Sequence, residues 1–166
     1  MFSPSKQNIG NAGEYYIASY LSAKDFIATI TLGRAERYDI LALSPSGRSI
    51  KLSVKTRFSI NSKEFPLSEK DEKGADKDFY YVFIKLNEFA EGKGVEFWII
   101  PSERANHIIS EAQKRWMNKK GKKDQPHNKT SIRELGVLVS ESKRYLYPEG
   151  WVDELKKYYR NIEQLR

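Results

Sequence analysis

The sequence predicts an α/β fold in which a mixed β-sheet is flanked by α-helices. Residues 8–23 carry an amphipathic helical pattern, and residues 102–118 carry a second one. Between them, residues 78–86 and 95–101 form apolar runs typical of strands that are buried on both faces. A chain of 166 residues is long enough for one domain with a sizeable core. We therefore expect residues 1–166 to form a single domain.

The first helix is expected to bring a carboxylate to the sheet. Its apolar positions recur at 3.6 residues per turn, so one face can pack on strands. Glu14 lies at the edge of this apolar arc, and docking of the helix would carry its side chain to the sheet. A boundary glutamate that extends into water is the alternative. The arc consists of Ile9, Tyr16, Ile17, Tyr20 and Leu21.

Short segments rich in β-branched residues follow this helix and are bounded by turn residues. A charged stretch with a proline and a glycine, residues 61–77, is predicted to be a long loop. Beyond a core at about 8–118, we expect a basic loop at 119–129 and a terminal helix at 151–165, whereas residues 130–149 stay unassigned. The three predicted strands are residues 26–32, 37–44 and 48–57.

The turn between the second and third strands predicts their register. Residues 45–47, Pro-Ser-Gly, suit a three-residue hairpin loop, because glycine can adopt the left-handed conformation of its last position. Counting outward, Asp39 faces Ser53, and Lys55 is a diagonal neighbour of Asp39 on the same face. Diagonal neighbours lie about 7–8 Å apart, which a lysine side chain spans. Asp39 and Lys55 are therefore either a catalytic pair or a cross-strand ion pair on a solvated face, which would add little stability.

The formal net charge of +7 predicts a polyanionic partner, nucleic acid first. The basic loop is a candidate for sequence-independent phosphate contacts, and a solvated flexible loop is the alternative. Arginines beside Asp39 and Lys55 are candidates for contacts with phosphates next to a reacting bond. The predicted nucleic-acid-binding residues are Arg34, Arg37, Arg57, Lys119, Lys120, Lys122 and Lys123.

Several classes of function are excluded by the residues that the sequence lacks. It has no cysteine, which rules out disulfides, thiolate zinc sites and cysteine nucleophiles. Its two histidines are too few for a three-histidine zinc site, and it has no Walker-type glycine loop. No apolar run approaches the ~20 residues that span a bilayer. The first residues lack the apolar stretch of a signal peptide, so we expect a cytoplasmic protein with no membrane contact.

Three short motifs resemble those of the PD-(D/E)XK nuclease superfamily, which includes many restriction enzymes, Holliday-junction resolvases and some homing endonucleases. They are GNAGEYYIASYL on the first helix, YDILAL with Asp39, and IKLSVKT with Lys55. The resemblance extends from the first helix to the strand at 95–101. It implies a restriction-endonuclease-like core of helix, three strands, helix and strand, and an endonuclease that hydrolyses phosphodiester bonds with a divalent metal.

The resemblance also implies roles for individual residues. Asp39 would hold Mg²⁺ or Mn²⁺, with Glu14 assisting directly or through a water and the backbone carbonyl of Val54 as a further ligand. Lys55 would position or help to deprotonate the attacking water and would stabilise charge on the phosphate. The implied substrate is double-stranded DNA, cut by a homodimer because duplex cleavage needs two sites.

Ser53 departs from the family pattern, which has Glu or Asp, and sometimes Gln, two residues before the lysine. A neutral hydroxyl removes one formal charge from the catalytic set of Glu14, Asp39, Ser53 and Lys55, so metal affinity should fall. Two carboxylates still suffice for one Mg²⁺. Three alternatives remain: an active endonuclease, an inactive nuclease-fold protein that binds nucleic acid or a protein partner, and an unrelated domain.

Overall fold

The computed structural model describes residues 4–31, 37–58, 63–87, 94–121 and 124–166. Among these residues, three α-helices and seven strands account for most of the regular structure. Short 3₁₀ helices cover Glu69–Glu72, Glu141–Leu146 and Glu163–Leu165. The main elements are α1 (Lys6–Ser22), β1 (Ile27–Ile30), β2 (Ile40–Leu43), β3 (Ser49–Arg57), β4 (Glu64–Ser68), β5 (Phe79–Lys85), β6 (Glu96–Pro101), α2 (Ser102–Asn118), β7 (Ile132–Gly136) and α3 (Trp151–Tyr158).

A five-stranded sheet with the order β1-β2-β3-β5-β6 forms the centre of the fold. β3 and β5 run parallel, whereas the other neighbouring strands are antiparallel. The sheet is therefore mixed, and helices pack on both of its faces. The predicted fold class, an α/β fold with a mixed sheet flanked by helices, is confirmed.

Two hydrophobic cores lie on opposite faces of this sheet. On one face, Ile17 and Leu21 of α1 pack among strand residues such as Leu52. On the other face, α2 and α3 pack with β4 and β7 against side chains such as Phe83. All seven residues of β5 are buried, as expected for a central strand covered on both faces. No helix among the described residues is long and apolar enough to cross a membrane.

The prediction that residues 61–77 form only a long loop is wrong. Within this stretch, β4 pairs antiparallel with β7, which lies in the segment that the sequence left unassigned. Phe65 and Leu67 are buried, and Pro66 between them is exposed, so β4 has the alternation of a half-buried strand. Its short length and its proline hide this alternation in the sequence, because proline usually argues against a strand.

The predicted terminal helix at 151–165 is too long, since α3 ends at Tyr158. The chain then leaves the helix and approaches the edge strand β6, where the Arg160 N–H donates to the Phe97 carbonyl at 3.0 Å. This path covers an otherwise open sheet edge. It also buries Ile162 and Leu165 in the core on the α1 side of the sheet.

The crossover between β3 and β5 departs from the core that the resemblance implies. That core has a helix between its third and fourth strands. In the described part of this chain, β4 and the 3₁₀ helix Glu69–Glu72 occupy the connection instead. The first four elements, α1 and the β1–β2–β3 antiparallel strands, follow the implied order.

Candidate active site

The site lies where β2 and β3 part. β3 pairs with β2 only as far as Leu52, but it pairs with β5 as far as Arg57. Within the described residues, no strand pairs with the other edge of β3 beyond Leu52. This leaves backbone groups of β3 available at that edge.

Asp39 stands immediately before β2 and turns its carboxylate to this open edge. Its Oδ2 accepts the backbone N–H of Val54 at 2.6 Å and the Ser53 hydroxyl at 3.2 Å. The predicted register is confirmed, because Ile40 pairs with Leu52 and Gly47 adopts a left-handed φ of 86° at the turn. A single hairpin loop therefore brings Asp39 beside Ser53.

Glu14 reaches the same place from α1. The helix approaches β3 closely at Gly13, whose missing side chain leaves space for Thr56. Burial raises the pKa of Glu14 above its ordinary value; the negative charge of Asp39 raises this pKa further, and the positive charge of Lys55 lowers it. Asp39 and Lys55 are thus both close enough to Glu14 to affect its charge.

Ser53 is almost fully buried, and its hydroxyl donates to Asp39. In this arrangement its hydrogen bond orients the carboxylate. Among the described residues there is no cluster of three or more His, Cys, Asp or Glu side chains that could hold a metal ion. A divalent cation at this site would therefore depend on the carboxylates of Glu14 and Asp39 and on the backbone.

These groups fit one Mg²⁺ or Mn²⁺. Mg²⁺ is commonly bound by one or two carboxylates and keeps several waters. Burial is the main reason that the pKa of Glu14 is raised, and the charge of Asp39 adds to it. A cation between the two carboxylates would relieve this second contribution. In an extended strand the N–H and C=O of one residue point to the same edge. The Val54 carbonyl therefore faces the edge at which its N–H meets Asp39.

The basic residues that were predicted to contact phosphate, where the structure describes them, contact other parts of the chain. Arg34, Lys122 and Lys123 lie outside the described residues. Arg37 donates to the Lys73 carbonyl, and its guanidinium lies 5.8 Å from the centre of the Phe79 ring. Arg57 Nε donates to the Glu64 carbonyl at 3.1 Å. Both arginines thus hold the segment between β3 and β5.

The basic loop contacts the C-terminal part of the chain. The Lys119 ammonium lies 3.7 Å from the centre of the Tyr145 ring, whereas Lys120 pairs with Asp124 inside the loop itself, at 2.8 Å. Both lysines remain exposed. None of these contacts involves Glu14, Asp39 or Lys55.

Sequence reasoning missed the contact between Gly13 and Thr56. A signal for it exists, because glycine inside a helix costs stability and is often retained where another element approaches closely. Gly13 also directly precedes the candidate Glu14.

No family model matches the sequence, and no curated protein matches it. Among solved structures, the chain is similar to a bacterial homing endonuclease, I-Ssp6803I. Their sequence identity is 16%, the match covers 94% of this chain and 95% of that one, and the TM-score is 0.47. The chain is also similar to Hjc, a Holliday junction resolvase from Archaeoglobus fulgidus. Here the identity is 14%, the coverage is 91% of this chain and 98% of that one, and the TM-score is 0.45.

Identities of 16% and 14% are too low to transfer the role of any residue. The role of each residue must therefore follow from its own contacts in this chain.

Proposed function

We propose that this protein is a divalent-metal-dependent endonuclease of the PD-(D/E)XK class that hydrolyses phosphodiester bonds in DNA. The observation that carries the proposal is that Asp39 is held at the open edge of β3 while Asp39 and Lys55 are both close enough to Glu14 for their charges to influence its pKa. Two carboxylates beside one lysine provide a cation site and a positive group within reach of the same phosphate.

Each residue of the site then has a distinct task. Asp39 is held by Val54 and Ser53, so its carboxylate is oriented before any ligand arrives. Glu14 supplies the second carboxylate from α1. Lys55 positions the attacking water and stabilises the negative charge that develops on the phosphate. A bound Mg²⁺ or Mn²⁺ would neutralise phosphate charge and make that water a stronger nucleophile at neutral pH.

The substrate part of the proposal rests on charge. A net charge of +7 favours binding to a polyanion, and the exposed Lys119 and Lys120 offer contacts that do not depend on sequence. We propose double-stranded DNA as the substrate and a homodimer as the active form, because two sites are needed to cut both strands.

A second candidate function is nucleic-acid binding without cleavage. The observation that favours it is Ser53, which occupies the position where the family has an acidic residue. The Ser53 hydroxyl already donates its proton to the Asp39 carboxylate. One carboxylate fewer weakens a cation site, and a nuclease fold that has lost its metal retains its basic surface.

Calorimetric titration with Mn²⁺ and Mg²⁺, together with cleavage of supercoiled plasmid, separates the two functions. The endonuclease proposal expects metal binding and nicking by the wild type, and loss of both in Asp39→Asn. It expects Lys55→Ala to lose cleavage while DNA binding persists. Asp25→Asn is the matched control, because Asp25 is an exposed carboxylate in the turn after α1. DNA binding without metal binding or cleavage in the wild type would establish the second function.

A further inference from the structure

α1 lies directly against β3 at Gly13 and Thr56. A Cβ at position 13 would overlap the Thr56 hydroxyl oxygen and lie 2.9 Å from its Cγ2 and 3.0 Å from its Cβ. Real Cβ atoms essentially never show such distances, so a larger residue at position 13 must rotate the Thr56 side chain, displace the helix or distort the strand.

The two residues in this contact are next to two members of the candidate site. Gly13 precedes Glu14 along α1, and Thr56 follows Lys55 along β3. The depth to which the helix settles on the strand therefore sets how far Glu14 stands from Lys55 and Asp39. One turn further along, Ile17 anchors α1 in the core, so the helix cannot shift freely to compensate.

This contact carries two local costs to stability. Glycine is a poor helix former, and the Thr56 hydroxyl oxygen is buried without a hydrogen-bond partner among the described residues. Alanine at position 13 together with alanine at position 56 would avoid both costs. Residues that break local rules in this way are expected at functional sites.

We propose that Gly13 and Thr56 are positioning residues that set the distance between Glu14 and Asp39. This inference rests on the proposed function, in which both carboxylates hold one cation. Gly13 and Thr56 touch neither cation nor substrate and act through the placement of Glu14.

The test uses Gly13→Ala, Thr56→Ala, the double variant and Gly10→Ala in the full chain. Gly10→Ala is the matched control, because it makes the same change in the same helix and nothing lies within 4 Å of its Cβ. Two readouts are taken: the Mn²⁺ dissociation constant and the separation of the Glu14 and Asp39 carboxylates in crystal structures of the metal-free proteins.

We expect Gly13→Ala to widen the carboxylate separation and to weaken Mn²⁺ binding by about 10–100-fold, as loss of supporting contacts does at other metal sites. Thr56→Ala in the same chain removes the hydroxyl and Cγ2. The carboxylate separation and the Mn²⁺ affinity of the double variant should therefore return most of the way to their wild-type values. Gly10→Ala should leave both unchanged. An unchanged separation in Gly13→Ala, or a double variant that remains displaced, would overturn the inference.

Two further outcomes are also decisive. If Gly13→Ala does not fold, the double variant takes its place: folding with the native separation supports the inference, and folding with Glu14 displaced contradicts it. If the wild type binds no Mn²⁺, the proposed function fails, but the metal-free structures still decide whether Gly13 and Thr56 place Glu14.

Discussion

The backbone N–H of Val54 donates a 2.6 Å hydrogen bond to the Asp39 carboxylate, across the edge of β3 from which β2 has separated. Inside a sheet, a strand carbonyl would accept this proton. Here a charged side chain takes the place of the missing strand, and hydrogen bonds to a charged acceptor are stronger than those between neutral groups. The same bond therefore completes the strand and orients the carboxylate of the candidate site.

Asp39→Ala should destabilise the fold by about 1–3 kcal/mol, because it leaves the N–H of the buried Val54 without its acceptor. Asp39→Asn should cost less, since the amide oxygen can still accept this proton. Urea denaturation of both variants measures the difference. Equal losses in the two variants would mean that the hydrogen bond to Val54 contributes little and that the charge of Asp39 is what matters for stability.

The hairpin was the part of the site that the sequence could predict. The number and type of its loop residues determine which residues of β2 and β3 lie opposite each other. A register shifted by one residue would place Asp39 opposite the other face of β3. Glu14 could be placed only at the edge of a helix face, because the depth of helix docking depends on Gly13 and Thr56, which are far apart in sequence. The sequence also did not predict β4, because this strand is stabilised by pairing with β7, which is far from it in sequence.

Glu14→Gln should make the metal-free protein more stable at neutral pH. Burial, and then the charge of Asp39, raise the folded-state pKa of Glu14 above the ordinary value of 4.5. The folded state therefore binds more protons than the unfolded state between these two pKa values, and stability falls as pH rises through that window. Thermal melts from pH 3 to pH 8 should show no gain for the variant below about pH 4 and a gain above the window. A gain that does not vary with pH would contradict this linkage.

Ser53→Asp should strengthen metal binding at the expense of the metal-free fold. The Ser53 hydroxyl lies 3.2 Å from Asp39 Oδ2, so a carboxylate at position 53 would face a like charge at close range. We expect a lower melting temperature without metal, and Mn²⁺ affinity higher by about tenfold, or 1.4 kcal/mol. Ser49→Asp is the control, since Ser49 is exposed on the same strand. Unchanged Mn²⁺ affinity would show that position 53 does not face the cation.

Replacement of Lys119 and Lys120 by glutamine should weaken DNA binding equally for all sequences, because phosphate contacts carry no sequence information. The slope of log affinity against log salt should become shallower by about 0.9 for each phosphate contact removed. Binding isotherms measured by fluorescence anisotropy at several salt concentrations give this slope. Lys156→Gln with Lys157→Gln is the control, since these exposed lysines lie on α3 and the change in net charge is the same. A similar change of slope in both double variants would mean that net charge, and not the basic loop, governs DNA binding.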